Sequence, residues 1–316
     1  MAAMTYDRRE QDLGNILLLE HVNVRVPDQQ AATLFYIAGL GLTRDPYLMV
    51  SVDNMWANAG QTQFHLPTGK PNVLQGHVEM IVPDLDALTR RLAAVKPALA
   101  GTAFAYEVRD KHVAVTCPWG NQFRCVGPGP EWADITLGIG RVEVPVARGA
   151  AAGIVAFYRQ ALRATATVTQ DDQGAAARVS VGYRQELVFR ETDAAIAPYD
   201  GHHIAVYIAD FSGPHDWLVQ RSLVSEESNP YQYRFQVIVD PDGGQQRSEL
   251  EHEVRCATHP MYMRPLVNRN AAQRQATYVR GRDAAPTHAP PGGLSPPAPH
   301  GHATPKAPSV EPAVAS

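Results

Sequence analysis

Four short segments of this chain alternate apolar and polar residues with a period of two. They cover residues 21–28, 77–84, 141–146 and 203–210, and three of them begin with histidine and end with aspartate. Such alternation is typical of a β-strand that buries one face. Because the copies begin roughly 60 residues apart, the chain is predicted to repeat one supersecondary unit four times.

The two faces of these strands differ in chemistry. In the first copy the apolar face carries Val22, Val24 and Val26, while the other face carries His21, Asn23 and Arg25. We expect the apolar face to pack on a core and the polar face to line a site.

Helix and strand signals follow each copy in the same order. Asp28 and Asp84 are good N-cap residues, and the segments after them are apolar at helical spacing. An alanine-rich helix is expected over 150–162 in the third unit. Short alternating runs come next and predict further strands. Each unit therefore is expected to form a strand, a helix and three strands.

Composition narrows the class of protein. The 316 residues carry a net charge of −4, which provides no basic surface for nucleic acid. Three cysteines are too few for a disulfide framework and favour a reducing, cytoplasmic location. No run of apolar residues is long enough to span a membrane. Residues 1–15 are expected to be a flexible leader, and the Pro-, Ala- and His-rich residues 283–316 a disordered tail.

The repeated strand motif, H-[VI]-x-[VMA]-x-[VI]-x-D, resembles that of the vicinal oxygen chelate superfamily, which includes glyoxalase I, bleomycin-resistance proteins and extradiol dioxygenases. The resemblance covers about 16–255. It implies an α+β fold in which four βαβββ modules pair into two cup-shaped half-barrel domains, with helices on the outer apolar faces and a divalent metal on the concave face. We expect one domain at 16–128, a second at 136–256, and a C-terminal extension at 257–282.

The resemblance also implies that metal ligands come from the first and last strands of each unit. The first-strand positions are His21, His77, Arg141 and His203. The last-strand positions are His65, Arg124, about Val188, and either Glu249 or Glu251.

Two pairings of the units are possible, and they predict different sites. If neighbouring units pair, the N-terminal cup holds His21, His65 and His77 beside Arg124, and three imidazoles suit Fe, Zn, Ni or Co. If the first unit pairs with the fourth, the ligands are His21, His65, His203 and either Glu249 or Glu251. The second and third units would then form an arginine-rich cup without metal. The neighbouring-unit arrangement is the expectation that we carry forward.

The implied function is that of a metal-dependent enzyme, either a dioxygenase or a glyoxalase-type lyase, acting on a small oxygen-chelating substrate. Arg124, Arg141 and Tyr207 are the candidates for contacting that substrate. The alternative is a non-catalytic protein that sequesters a small molecule, as bleomycin-resistance relatives do. A small molecule is the expected partner, with neither nucleic acid nor membrane, and the chain is expected to be a monomer or homodimer.

Overall fold

The computed structural model describes residues 7–45 and 53–264, and the four predicted units are all present in it. Part of the expected leader, part of the C-terminal extension and all of the expected tail lie outside the described residues. Within the described ranges, no helix is long and apolar enough to cross a membrane.

The first two units run from β1 to β8. The first unit contains β1 (Ile16–Asn23), α1 (Gln29–Ala32, continued by a π-helix at Thr33–Gly39), β2 (Thr43–Arg44), β3 (Asn54–Ala59) and β4 (Thr62–Pro67). The second contains β5 (His77–Ile81), α2 (Leu85–Val95), β6 (Ala105–Val108), β7 (His112–Thr116) and β8 (Gln122–Val126). Short 3₁₀ turns occupy Arg8–Gln11, Lys96–Leu99 and Pro130–Trp132.

The last two units repeat this order. The third contains β9 (Gly138–Ala147), α3 (Ala151–Gln160), β10 (Ala166–Asp171), β11 (Gly174–Gly182) and β12 (Gln185–Thr192). The fourth contains β13 (His203–Ile208), α4 (Ser212–Val219), β14 (Val224–Asn229), β15 (Gln232–Val239) and β16 (Gln246–Cys256).

The aspartates that end the first two strand motifs cap the following helices, as the sequence predicts. The Asp28 carboxylate accepts hydrogen bonds from the backbone N–H groups of Gln30 at 2.7 Å and Ala31 at 3.0 Å. The Asp84 carboxylate accepts one from Ala87 at 2.9 Å. These bonds satisfy amide groups that have no partner within the helix, and so they fix where each helix begins.

The first unit pairs with the fourth and the second with the third, which is the second of the two pairings that the sequence allowed. Sheet A has the strand order β14-β15-β16-β13-β1-β4-β3-β2, and sheet B has the order β10-β11-β12-β9-β5-β8-β7-β6. Sheet A therefore joins the first and fourth units, and sheet B joins the second and third. The expectation that neighbouring units share a cup is wrong, and each sheet takes one unit from 16–128 and one from 136–256.

The fold is α+β, with two cup-shaped eight-stranded sheets whose apolar faces share one core. The helices lie against these apolar faces. Tyr36, which follows α1, places its ring 5.3 Å from Phe64 of sheet A and 6.1 Å from Phe123 of sheet B. In the other half, Phe157 of α3 lies 5.7 Å from Phe235 of sheet A. The concave faces therefore point away from each other, and a site in one cup cannot borrow residues from the other.

Gln185 joins the two sheets through a buried side-chain amide. Its Oε1 accepts from the Leu19 N–H at 3.0 Å, and its Nε2 donates to the carbonyls of Leu19 and Ile139, both at 3.0 Å. Leu19 belongs to sheet A and Ile139 to sheet B. The amide thus satisfies three buried backbone groups where the strands of the two sheets cross.

Gln185→Leu is expected to lower the free energy of unfolding by about 3 kcal/mol, because it leaves buried backbone groups without partners. Urea unfolding measures this, with exposed Gln170 changed to leucine as the matched control. Equal unfolding midpoints for the two variants would show that the amide does not hold the sheets together.

Candidate metal centre

Three histidines come together on the concave face of sheet A. His21 lies on β1 and His203 on β13, the antiparallel pair at the centre of the sheet, and His65 lies on the adjacent β4. One ring nitrogen from each lies within 4.8 Å of the others. His21 is fully buried and His203 is 7% exposed, so the cluster is largely shielded from water.

A fourth position is defined by the internal symmetry of the sheet. Asn23, two residues after His21, pairs with His65, and Ala205, two residues after His203, pairs with Glu253. Glu253 is therefore the counterpart of His65 in the fourth unit. Its Oε2 lies 3.6 Å from His203 Nε2, and the side chain is buried.

The two predicted glutamates do not occupy this fourth position. Glu249 is exposed and pairs with Val237 of β15, away from the cluster. Glu251 pairs with His203 itself and lies 3.4 Å from that residue's Nδ1, on the side away from its Nε2. The sequence therefore placed the candidate ligand of the last strand either two residues (Glu251) or four residues (Glu249) before Glu253.

A bulge in β1 brings a second buried carboxylate to the cluster. Leu19 pairs with Val206 and His21 with Ala205, so Glu20 is the extra residue between two successive pairs. Glu20 Oε2 lies 2.9 Å from His21 Nδ1. Because a carboxylate only accepts hydrogen bonds, Nδ1 carries the proton and the His21 lone pair lies on Nε2.

Two arginines balance part of the negative charge. Arg255 contacts Glu20 and Glu253, both at 2.5 Å, and Arg234 contacts Glu251 at 2.7 Å and Glu253 more closely. These two guanidiniums are shared by three carboxylates, those of Glu20, Glu251 and Glu253. Negative charge beside the histidines favours a bound cation.

The electrostatics keep the imidazoles of His65 and His203 neutral and the carboxylates of Glu20 and Glu253 ionised. Burial, together with the neighbouring His21 ring, lowers the pKa of His65 and of His203 to about 2. Burial opposes ionisation of Glu20, but Arg255 and the hydrogen bond from His21 outweigh it and lower the pKa to about 2. Arg255, His21 and Arg234 likewise hold the pKa of Glu253 below its usual range in spite of its burial. Neutral imidazole and ionised carboxylate are the forms that ligate metals.

The donor atoms fit a divalent metal. The Nε2 atoms of His21 and His203 are buried and have no hydrogen-bond partner among the described residues, which is costly unless something else binds them. His65 stacks on Trp56 at 3.8 Å, and its two nitrogens bond Asn23 and Asn54. Metal binding would replace one of those two bonds. His21, His65, His203 and Glu253 could therefore supply three nitrogens and one oxygen.

His77 lies in the other sheet. It pairs with Glu143 and Gln122 within sheet B, and so it does not meet His21 and His65 as the sequence predicted. The positions of sheet B that correspond to the cluster hold His77, Arg124, Arg141 and Val188. Two fixed cations replace imidazoles there, which disfavours a metal ion in that cup.

The predicted substrate contacts belong to ion pairs and hydrogen bonds of the protein itself. Arg141 contacts Glu79 at 2.5 Å and Glu186 at 2.8 Å, and Arg124 contacts Glu79 at 3.3 Å. Tyr207 is fully buried beside the histidine cluster, where its hydroxyl donates to Glu20 Oε1 at 3.1 Å. Of these three residues, only Tyr207 lies in the cup that holds the histidines.

Comparison with solved structures shows that the fold is similar to that of glyoxalase I. Glyoxalase I from Zea mays is similar over 80% of this chain and 96% of its own, with a TM-score of 0.54 and 14% identity. A Bacillus subtilis protein named as a candidate dioxygenase is similar over 78% of this chain and 86% of its own, with a TM-score of 0.51 and 15% identity. No protein-family model and no curated protein sequence matches the chain.

Proposed function

We propose that this protein is a metal-dependent enzyme of the dioxygenase or glyoxalase-type lyase kind, acting on a small substrate that offers two oxygens. The observation that carries the proposal is that the buried Nε2 atoms of His21 and His203 have no hydrogen-bond partner within residues 7–45 and 53–264. His65 lies close to both rings, and Glu253 lies 3.6 Å from His203. The similarity to glyoxalase I supports it at the level of fold.

Each residue of the cup has a distinct part in this proposal. His21, His65, His203 and Glu253 hold the ion, which when bound would polarise substrate oxygens as a Lewis acid. Glu20 fixes the ring of His21 and the tautomer that leaves Nε2 free. Arg255 holds both carboxylates in place. The hydroxyl of Tyr207 stays oriented through its bonds to Glu20 and Arg255.

The alternative, a non-catalytic binding protein, is less well supported. In that alternative, Arg124 and Arg141, which replace metal ligands in two of the four units, would bind the small molecule. Both guanidiniums are already engaged by Glu79, and Arg141 also by Glu186. An anion in that cup would have to compete with carboxylates held next to them.

Titration with Co(II) tests the proposal, because its visible absorption reports the ligands around the ion. We expect one equivalent to bind per chain, and we expect catechol, with two adjacent oxygens, to change the spectrum. Phenol, which offers a single oxygen, is the matched control and should change it much less. Absence of Co(II) binding would overturn the proposal, and identical responses to the two compounds would overturn its chelating-substrate part.

Glu20→Gln is expected to weaken metal binding by about 10–100-fold, because the amide no longer fixes the His21 ring as an ionised acceptor does. Competition with a coloured chelator measures the affinity. Glu107→Gln, on a side chain that is 65% exposed, is the control. Unchanged affinity in Glu20→Gln would mean that the carboxylate serves only to pair with Arg255.

A further inference from the structure

The segment after the last strand crosses the cup of sheet A. β16 ends at Cys256, and residues 257–264, here termed the strap, continue over the concave face. The ring of Tyr262 lies 4.8 Å from that of Tyr207, and the ring of His259 lies 6.0 Å from it. Tyr207 is hydrogen-bonded to Glu20, and Glu20 in turn bonds His21, so the strap lies next to the residues that surround the candidate metal centre.

The far end of the strap is held by a buried ion pair. Arg264 Nη2 contacts Asp45 Oδ2 at 2.5 Å, with side chains 2% and 0% exposed. Gln63 donates to the same Asp45 oxygen at 2.7 Å, and Gln63 is the strand partner of His21. A guanidinium is rarely this buried outside regular secondary structure, because its desolvation must be offset by its partner. The ion pair therefore anchors the strap next to the histidine cluster.

The central strand is more deeply buried in the cup of sheet A than in the cup of sheet B, as expected if the strap covers sheet A. All six residues of β13 at the centre of sheet A are buried, including those that face the cup. In β9, the corresponding strand of sheet B, Arg141, Glu143 and Pro145 are only partly buried. The strap is not itself packed like a core element, since Met263 is 59% exposed. Residues 257–264 contain no strand, so lifting the strap would leave the strand pairing of the sheet intact.

We propose that residues 257–264 are a strap that opens and closes over the cup of sheet A, with Arg264 and Asp45 as its latch. The closed strap limits the access of metal and small molecules to His21, His65 and His203. This rests on the proposed function of the site beneath it, and it adds control of access to that site. The latch joins residues 219 positions apart, so strap position depends on the folded first unit.

Chemical modification of histidine tests the strap without any metal. Diethyl pyrocarbonate reacts with neutral imidazole, and peptide mass spectrometry gives the rate at each histidine. Arg264→Gln breaks the latch and is expected to speed modification of His21 and His203 at least about tenfold, by raising the population of the open state. Arg148→Gln, which breaks an ion pair whose side chains are 72% and 70% exposed, is the matched control and should change neither rate.

His252 reports whether a variant is still folded. It is fully buried in the shared core, where Tyr158 bonds it at 2.7 Å, and lifting the strap should not expose it. Tyr262→Ser provides a second opening variant that leaves the buried ion pair intact, should Arg264→Gln unfold. If neither variant speeds modification of His21 and His203 relative to His252, the strap is not a gate.

The proposal of a strap and the proposal of a metal centre can be overturned independently of each other. Faster modification in both variants, in a protein that binds no Co(II), would support the strap and overturn the metal proposal. Binding of Co(II) with unchanged modification rates would do the reverse.

Discussion

Replacing His21 by alanine is expected to lower the affinity for a divalent metal by more than about 100-fold, a larger effect than loss of an outer hydrogen-bond partner of a ligand. His21 is fully buried, its Nε2 has no hydrogen-bond partner in the part of the chain that the structure describes, and its Nδ1 is oriented by Glu20. Removal of the ring takes away the ligand at the centre of the cluster. Competition with a coloured chelator measures the change.

His77→Ala is the matched control for this experiment. His77 begins the same sequence motif on the equivalent strand, but it lies in sheet B, beside Glu143 and Gln122. We expect its loss to leave metal affinity unchanged. Equal losses in both variants would instead favour a cup made from neighbouring units, contrary to the strand order of the two sheets.

Glu253→Gln is expected to weaken metal binding by more than about tenfold, because the amide keeps the shape of the side chain but removes its charge. The change also removes the carboxylate that Arg234 and Arg255 share, leaving Arg255 with Glu20 and Arg234 with Glu251. Thermal unfolding should therefore also shift to lower temperature, since breaking a buried pair is costly. Metal titration and a melting curve on the same sample separate the two effects.

Glu249→Gln is the control for this second prediction, and it should change neither metal affinity nor melting temperature. Glu249 is exposed, and its strand partner is Val237. Loss of affinity in Glu249→Gln with none in Glu253→Gln would restore the register that the sequence first indicated. It would also contradict the equivalence of His65 and Glu253 across the sheet.

Much of the fold follows from the repeated strand. Alternation in four copies predicted the units, and aspartates at the ends of the first two predicted the helix starts that the structure confirms. The position of strand β14 could not be located, because its sequence, Val-Ser-Glu-Glu-Ser-Asn, has almost no apolar residues. As the edge of sheet A, it exposes most of its side chains and needs no apolar face.

The pairing of units could not be decided from the repeats. Each unit has an apolar face and a polar face, so either pairing buries the apolar faces equally well. The difference lies in contacts between distant residues, such as the Gln185 amide that bonds Leu19 and Ile139. A glutamine followed by an alternating strand gives no sign of such a contact.

The site was predicted in part. His21, His65 and His203 were all candidates, and the structure brings them together. Glu253 was missed because strand β16 is eleven residues long and carries glutamate at 249, 251 and 253, all on one face by alternation. Glu20 was missed because alternation places it on the apolar face, and only the bulge in β1 turns it toward His21.

Diffraction from crystals grown with Co(II), measured on both sides of the cobalt absorption edge, would test directly whether a metal binds in the cup of sheet A. We expect one strong anomalous peak per chain, bounded by His21, His65, His203 and Glu253. A peak beside His77 and Arg124, or no peak in the cup of sheet A, would contradict it.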